Sequence, residues 1–338
     1  MSTKVKEILA VIVITIFCLI FYIGKINGWE TIEFSSTVSM VIIFLLVLSL
    51  VWILILTIKG KMIERRIVFL FVGIAVTLPL FMGISQKIKS SPEVVSLYES
   101  VDALPAGSKV LISFDYDPPS APELQPMAET FLHLCFEKNL KVITMGLWPQ
   151  GPQQASLAFE KVFSSEKLKG RKFEYGVDYV NLGFQTGNEF VIQRMGSSFK
   201  SMFPTDYVGN AYDDLPLVKN IKNFSNIDYC FNLSAGFPGT VEWIQIGVDR
   251  FGVLLGAGNT AVQAPQIYPY LNAKQLTGLL GGMNGAAEFE VLTGNPGKGT
   301  KFMLSQSFSH MVVIAFVLIG NVAFFMSGRK SQLLGNEE

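Results

Sequence analysis

Apolar and polar positions divide this chain into two regimes. Residues 8–23, 40–58, 67–84 and 311–326 are almost unbroken apolar runs. Between the third and fourth run lies a long stretch in which short apolar segments alternate with amphipathic ones. A run of about 20 apolar residues crosses a bilayer, so the pattern predicts four transmembrane helices, three N-terminal and one C-terminal. The first run is flanked by Lys4, Lys6 and Lys25 and ends in Phe21, Tyr22 and Ile23 rather than at a small-residue cleavage site. It therefore reads as a retained helix and not as a signal peptide. Pro79 in the third run is tolerated where neighbouring helices satisfy the freed carbonyl.

In the intervening stretch the apolar segments 110–114, 141–147, 178–184, 227–233 and 253–257 read as buried strands. Segments 123–138, 153–163, 188–203, 240–251 and 275–292 read as helices, with shorter ones at 93–100 and 217–222 and a loop at 204–215. Met127, Phe131, Leu134 and Cys135 recur at the helical spacing of three and four. Strands alternating with helices predict an α/β fold: a Rossmann-like or flavodoxin-like, doubly wound, mainly parallel sheet of about five strands. The expected organisation is three spans in 1–85, a connector at 86–107 and the α/β domain at 108–293. A glycine-rich linker at 294–306, a span at 307–328 and a tail at 329–338 complete it.

Loop charge sets the expected orientation. The loop between the second and third runs carries Lys59, Lys61, Arg65 and Arg66, whereas the loop before the second carries Lys25 with Glu30 and Glu33. Lys4 and Lys6 precede the first run, and Arg329 and Lys330 follow the last. Basic residues collect on the cytoplasmic side. Both termini are therefore expected in the cytoplasm and the α/β domain outside it, with Lys87 and Lys89 pulling the other way.

Composition narrows the function classes. Only 16% of the residues are charged, against about 25% in an average soluble domain, and mean hydropathy is +0.40. The 27 basic and 27 acidic residues leave no surplus for neutralising phosphates, so no nucleic-acid partner is expected. The cysteines are Cys18, Cys135 and Cys230 and the histidines His133 and His310, without a CxxC, which argues against zinc. Cys135 and Cys230 read as small buried hydrophobes rather than a disulfide.

In open α/β sheets ligands bind at the carboxyl ends of the strands, so the candidate chemistry lies in the loops that follow them. Asp115 and Asp117 flank Tyr116 at the end of the first strand. Two such acids suit a hard cation, Mg²⁺ or Mn²⁺. The pair resembles the DxD of metal-dependent transferases and of phosphatases with an aspartyl nucleophile. Pro118 and Pro119 stand where the latter carry a threonine, and capping of the following turn by Asp117 and Ser120 is the competing reading. Trp148 follows the second strand and either stacks on a ligand or packs on the rim. Asn232 and Ser234 end the fourth strand, and Asn259 and Thr260 follow the fifth. These seven residues form the candidate ligand-binding set, with Asp115 and Asp117 as the weak metal pair. Ser234 lacks the G-x-S-x-G elbow. His133 falls mid-helix, so no serine triad is expected, although a pairing of Ser234 with Lys274 stays open. Gly278, Gly281, Gly282 and Gly285, read as lying on one helix, suggest tight packing of that helix against the sheet, the membrane spans or another subunit, and are the candidate interaction residues.

The expected function is a non-catalytic, membrane-anchored α/β module, a scaffold or accessory subunit of an envelope membrane complex with no cofactor. Its expected partners are the lipid bilayer and other membrane-protein subunits or further copies of itself. The alternatives are a small-molecule binding or sensing domain, and a metal-dependent hydrolase or transferase using Asp115 and Asp117.

Overall fold

The computed structural model describes Ile23 and residues 35–59, 64–81 and 88–334. The chain forms two compact units, Met1–Gln86 with Leu304–Glu338, and Lys87–Met303.

The first unit contains α1, Ser36–Ile58, and α2, Arg65–Thr77. Ser35 caps α1 by accepting from the Val38 amide. α2 runs 13 residues and tightens into a 3₁₀ turn, Leu78–Phe81, where Pro79 lacks the N–H that would continue the ladder. Among the described residues two helices are long and apolar enough to cross a membrane, Thr37–Thr57 and Lys298–Val322. Four were expected. The first expected span, residues 8–23, lies outside the described residues apart from Ile23, and α2 is shorter than the roughly 20 residues a crossing needs. Leu46, Leu50, Ala75 and Val312 make a small core, while Phe44, Trp52 and Phe69 point outward.

The second unit opens with α3, Pro92–Asp102, followed by β1, Lys109–Asp115. The chain continues through α4, Ala121–Glu137; β2, Lys141–Gly146; α5, Gly151–Phe163; and β3, Tyr179–Phe184. Next come α6, Glu189–Met195; α7, Phe199–Met202; and β4, Tyr229–Ser234. Helix α8 starts at Thr240–Glu242, passes through a π-helical stretch, Trp243–Val248, and ends in the turn Asp249–Phe251. The unit closes with β5, Leu255–Asn259; α9, Ala264–Asn272; β6, Gly278–Gly281; and α10, Gly282–Leu292. The last helix, α11, Lys298–Leu334, begins here and runs on into the first unit.

The strands form one parallel sheet of order β3-β2-β1-β4-β5-β6. Sequence order reverses between β1 and β4, where Ser113 pairs with Asn232 and Asp115 with Ser234. Helices α3, α4, α5 and α10 cover one face, with Leu97, Phe131, Phe231 and Phe289 in its core. Phe131 and Phe231 stack with ring centroids 3.9 Å apart. Helices α6 to α9 cover the other face over Ile143, Ile192, Phe199, Trp243 and Ile267.

Three expected elements differ. Residues 275–292 form β6 and α10 rather than one helix, which makes the sheet six-stranded instead of about five. Gly282 at φ +58 breaks any right-handed helix through the segment. A Cβ on Gly278 would lie 2.5 Å from the Glu93 carbonyl oxygen, so glycine lets α3 rest directly on β6. Gly278, Gly281, Gly282 and Gly285 therefore do not share a helix face; Gly285 backs onto Leu280 and Gly281 faces Ala264, all within the chain. The expected helix 188–203 splits into α6 and α7 around Gly196, against which the Phe251 ring packs. Residues 216–220 make turns instead of the expected short helix, and α9 occupies residues to which the pattern assigns no element, with Pro265 in its first turn. Finally, Cys135 and Cys230 are buried, unpaired thiols, and Cys18 lies outside the described residues.

Candidate functional site

The carboxyl edge of the sheet at the β1/β4 reversal is where an open α/β sheet offers its crevice. Asp115 sits there, fully buried. Its Oδ1 accepts from Ser113 Oγ at 2.8 Å and from the Leu147 amide at 2.7 Å. Its Oδ2 accepts from Asn232 Nδ2 at 2.6 Å and from Trp243 Nε1 at 3.2 Å. The pleat turns Asp115 and Ser113 to the same side of β1, while the register with β4 brings Asn232 opposite. The π-helical stretch starts at Trp243, and the indole N–H reaches back to the carboxylate from there. Burial pushes the Asp115 carboxyl up to about 7, and the four hydrogen bonds pull against that rise.

A polar chain continues from Asn232 towards β5. Thr240 Oγ1 donates to Asn232 Oδ1 at 2.6 Å and accepts from Asn259 Nδ2 at 2.8 Å. Asn259 Nδ2 also donates to Gln263 Oε1 at 2.9 Å, and Gln263 Nε2 donates to the Gly236 carbonyl at 3.2 Å. Each donor atom in the chain has a partner, but Asn259 Oδ1 is a buried acceptor without one. Trp148 is half-buried, and its indole N–H donates to the Pro238 carbonyl at 2.8 Å, tying the β2 loop to the β4 loop.

The structure thus joins Asp115, Asn232 and Asn259 in one network and places Trp148 on its rim. Ser234 turns into its own loop, where its hydroxyl donates to the Gly236 carbonyl at 3.0 Å. Thr260 joins through its backbone, its amide donating to the Ser234 carbonyl. Asp117 stands apart: it heads the 3₁₀ turn Pro118–Ser120, and its side chain makes no capping bond. The two acids do not converge, and both Asp115 oxygens are already filled by donors, leaving no lone pair for a cation. Among the described residues no three His, Cys, Asp or Glu side chains gather as a metal site.

Lys274 follows α9 and precedes β6, which puts it at the amino edge of the sheet, the opposite edge from Ser234. A Ser234–Lys274 pair is therefore not formed. His133 bonds Ser165 Oγ and Asn295 Nδ2, both at 3.2 Å, linking α4 to the segments that follow α5 and α10. Burial holds its imidazole below the usual value. The crevice is also poorly suited to a dinucleotide. The turn after β1 has no glycine, and Glu123 in the first turn of α4 accepts from the Ala261 amide at 2.7 Å, which sets an acid where a phosphate would lie.

Sequence reasoning missed Ser113, Thr240, Trp243 and Gln263. Thr240 and Trp243 lie three apart at the start of a helix that follows a strand end, so both occupy the face turned to that edge. That spacing was the available signal. Around the network the loops project outward: Phe237 is 64% exposed and Val262 86%.

Compared with known proteins, the chain matches no family model, no curated protein and no solved structure.

Proposed function

We propose that this protein is a membrane-tethered, non-catalytic α/β module that serves as a scaffold or accessory subunit, assembling with other membrane-protein subunits or with copies of itself. The strand order β3-β2-β1-β4-β5-β6 supports reading the sheet as Rossmann-like. In this reading the domain lies outside the cytoplasm, and the basic loop with Lys59, Lys61, Arg65 and Arg66 faces inward.

The observation that carries the reading is the saturation of Asp115. A carboxylate whose oxygens accept four hydrogen bonds from its own chain is a fastener between the halves of the sheet. It has no lone pair left over for a metal, which weighs against the metal-dependent hydrolase or transferase alternative. The projecting Phe237 and Val262 suit contact with another protein. The test is the assembly state of the full-length protein purified in mild detergent. Migration above monomer mass, reduced by Phe237→Glu with Val262→Glu, is expected. A lone monomer with no co-purifying subunit overturns the reading, as does Mg²⁺ or Mn²⁺ binding that Asp115→Asn abolishes. Protease cleavage near Lys200 from the cytoplasmic side overturns the orientation.

A second reading, a small-molecule binding or sensing domain, is favoured by the unpartnered Asn259 Oδ1. A buried acceptor without a donor costs about 1–3 kcal/mol, and a ligand N–H or O–H admitted by movement of the Gly236–Gly239 loop would relieve it.

A further inference from the structure

The opposite edge of the sheet holds a cleft of about 380 Å³, a size in the range of small-molecule sites. It lies between the turn entering β1, the turn entering β2 and the segment leading to β3. Its working residues are Asn139, Lys141, Arg171, Lys172, Phe173 and Asp178. Lys141 is neutralised by Asp178 at 2.6 Å. Arg171 and Lys172 have no carboxylate partner among the described residues.

Arg171 is nevertheless held in place. Its guanidinium donates to Asn139 Oδ1 and lies over the Phe173 ring, 5.2 Å from the centroid. Asn139 can offer that oxygen because it takes the left-handed conformation, φ 57, just past the end of α4. The guanidinium has five N–H donors in a planar fork, so the remainder point away from Asn139 and stay open to a ligand. Behind the cations the wall is aromatic: Phe173 packs with Phe136 and Phe163 at centroid distances of 4.7 and 5.0 Å.

We propose that this cleft binds a phosphomonoester group, gripped by the Arg171 fork and the Lys172 ammonium, with any apolar body of the molecule against Phe173. Charge decides for phosphate over carboxylate. Two uncancelled cations, reduced by roughly half a charge from the carbonyl end of α4, match a phosphomonoester of about −1.5 to −2, whereas a carboxylate leaves the cleft positive. Arg suits the bidentate grip, and Lys supplies a point charge. The group reaches the cleft either on a soluble molecule or as a phosphatidic acid headgroup.

The experiment uses the full-length protein. In detergent, the melting temperature is followed against inorganic phosphate at constant ionic strength, with acetate as the singly charged control. In parallel, binding is compared for protein in phosphatidylcholine nanodiscs with and without phosphatidic acid. Saturable stabilisation by phosphate, weaker for acetate, is expected. Lys172→Gln, at an exposed position, and Arg171→Gln should each raise the phosphate concentration needed by about tenfold, and Lys172→Arg should restore it. A response to phosphate alone assigns a soluble ligand, and a response confined to phosphatidic acid assigns the lipid. The proposal is overturned by no saturable response to either probe, or by one that Lys172→Gln leaves unchanged. Because the read-out lies at the amino edge, it is independent of Asp115 and of the assembly state.

Discussion

Asn232 Nδ2 donates to Asp115 Oδ2 at 2.6 Å across the junction of β1 and β4. That bond closes the place where sequence order in the sheet reverses. It joins the half built from β1, β2 and β3 to the half built from β4, β5 and β6. An open reversal gives a ligand-binding crevice, and here the chain's own amide and indole fill it.

Asp115→Asn should destabilise the domain without altering assembly of the molecules that fold. One oxygen becomes an amide NH₂, which faces either the donor-only Leu147 amide beside Ser113, whose hydroxyl can turn to accept, or the donors Asn232 Nδ2 and Trp243 Nε1. Leaving buried donors unmatched costs about 3 kcal/mol, visible as a melting temperature several degrees lower. An unchanged melting temperature contradicts the fastening role.

The same carboxyl gives the stability a pH slope. Its folded-state value of about 7 lies above the ordinary 3.8, so the folded form binds the proton more tightly than the unfolded form. The contribution is full below about pH 4 and is lost as pH rises through 7, by up to about 4 kcal/mol. Ser113 Oγ is the one partner able to accept from the protonated acid. Melting temperatures measured from pH 4 to 8 should fall for this group, and the slope should flatten in Asp115→Asn.

Glu290 is 1% exposed. Its carboxylate accepts from the amides of Gly297, Gly299 and Thr300 at 2.7–2.8 Å and from the Thr300 hydroxyl at 2.6 Å. It therefore caps the first turn of α11 from α10, with favourable helix-dipole sign. Glu290→Gln should cost about 2–3 kcal/mol. In hydrogen exchange the Gly297, Gly299 and Thr300 amides should lose protection, while those of β1 keep theirs. Equal protection in the variant refutes the clamp.

Gly278→Ala should cost about 1–3 kcal/mol. The added methyl would sit 2.5 Å from both the Glu93 carbonyl oxygen and the Leu97 amide nitrogen, forcing α3 off β6. The loss would appear as earlier unfolding of α3 by hydrogen exchange, and an unshifted melting curve would contradict the contact.

Much of the parallel sheet was readable because its strands are short apolar runs bounded by turns, as in 110–114 and 141–147. Strand β6 was not, since Gly-Leu-Leu-Gly carries too little pattern to separate from a helix. Its glycines answer to a helix more than a hundred residues away in sequence, and no local window contains that demand. Gly297 and Gly299 mislead in the same way. They read as part of a glycine-rich linker, yet a Cβ on either would lie 2.8 or 2.9 Å from Glu290 Oε1, so they are small to admit a carboxylate. At the candidate site the strand-end position of Asp115 was legible. Its surroundings were not, because Trp243 reaches it from 128 positions away.

Helix α3 opens the domain, but its partners are synthesised last. The Ser91 amide donates to Glu288 Oε2 at 2.7 Å, and Ser96 Oγ donates to the Thr277 carbonyl at 2.6 Å. Val94, Leu97 and Val101 therefore keep part of their apolar face uncovered until β6 and α10 emerge from the ribosome. The domain can close only once α10 has been made, so a nascent chain stalled before Gly278 carries an open sheet edge and a helix that lacks its β6 and α10 partners. Chains arrested there should be the ones that chaperones hold and proteases clear.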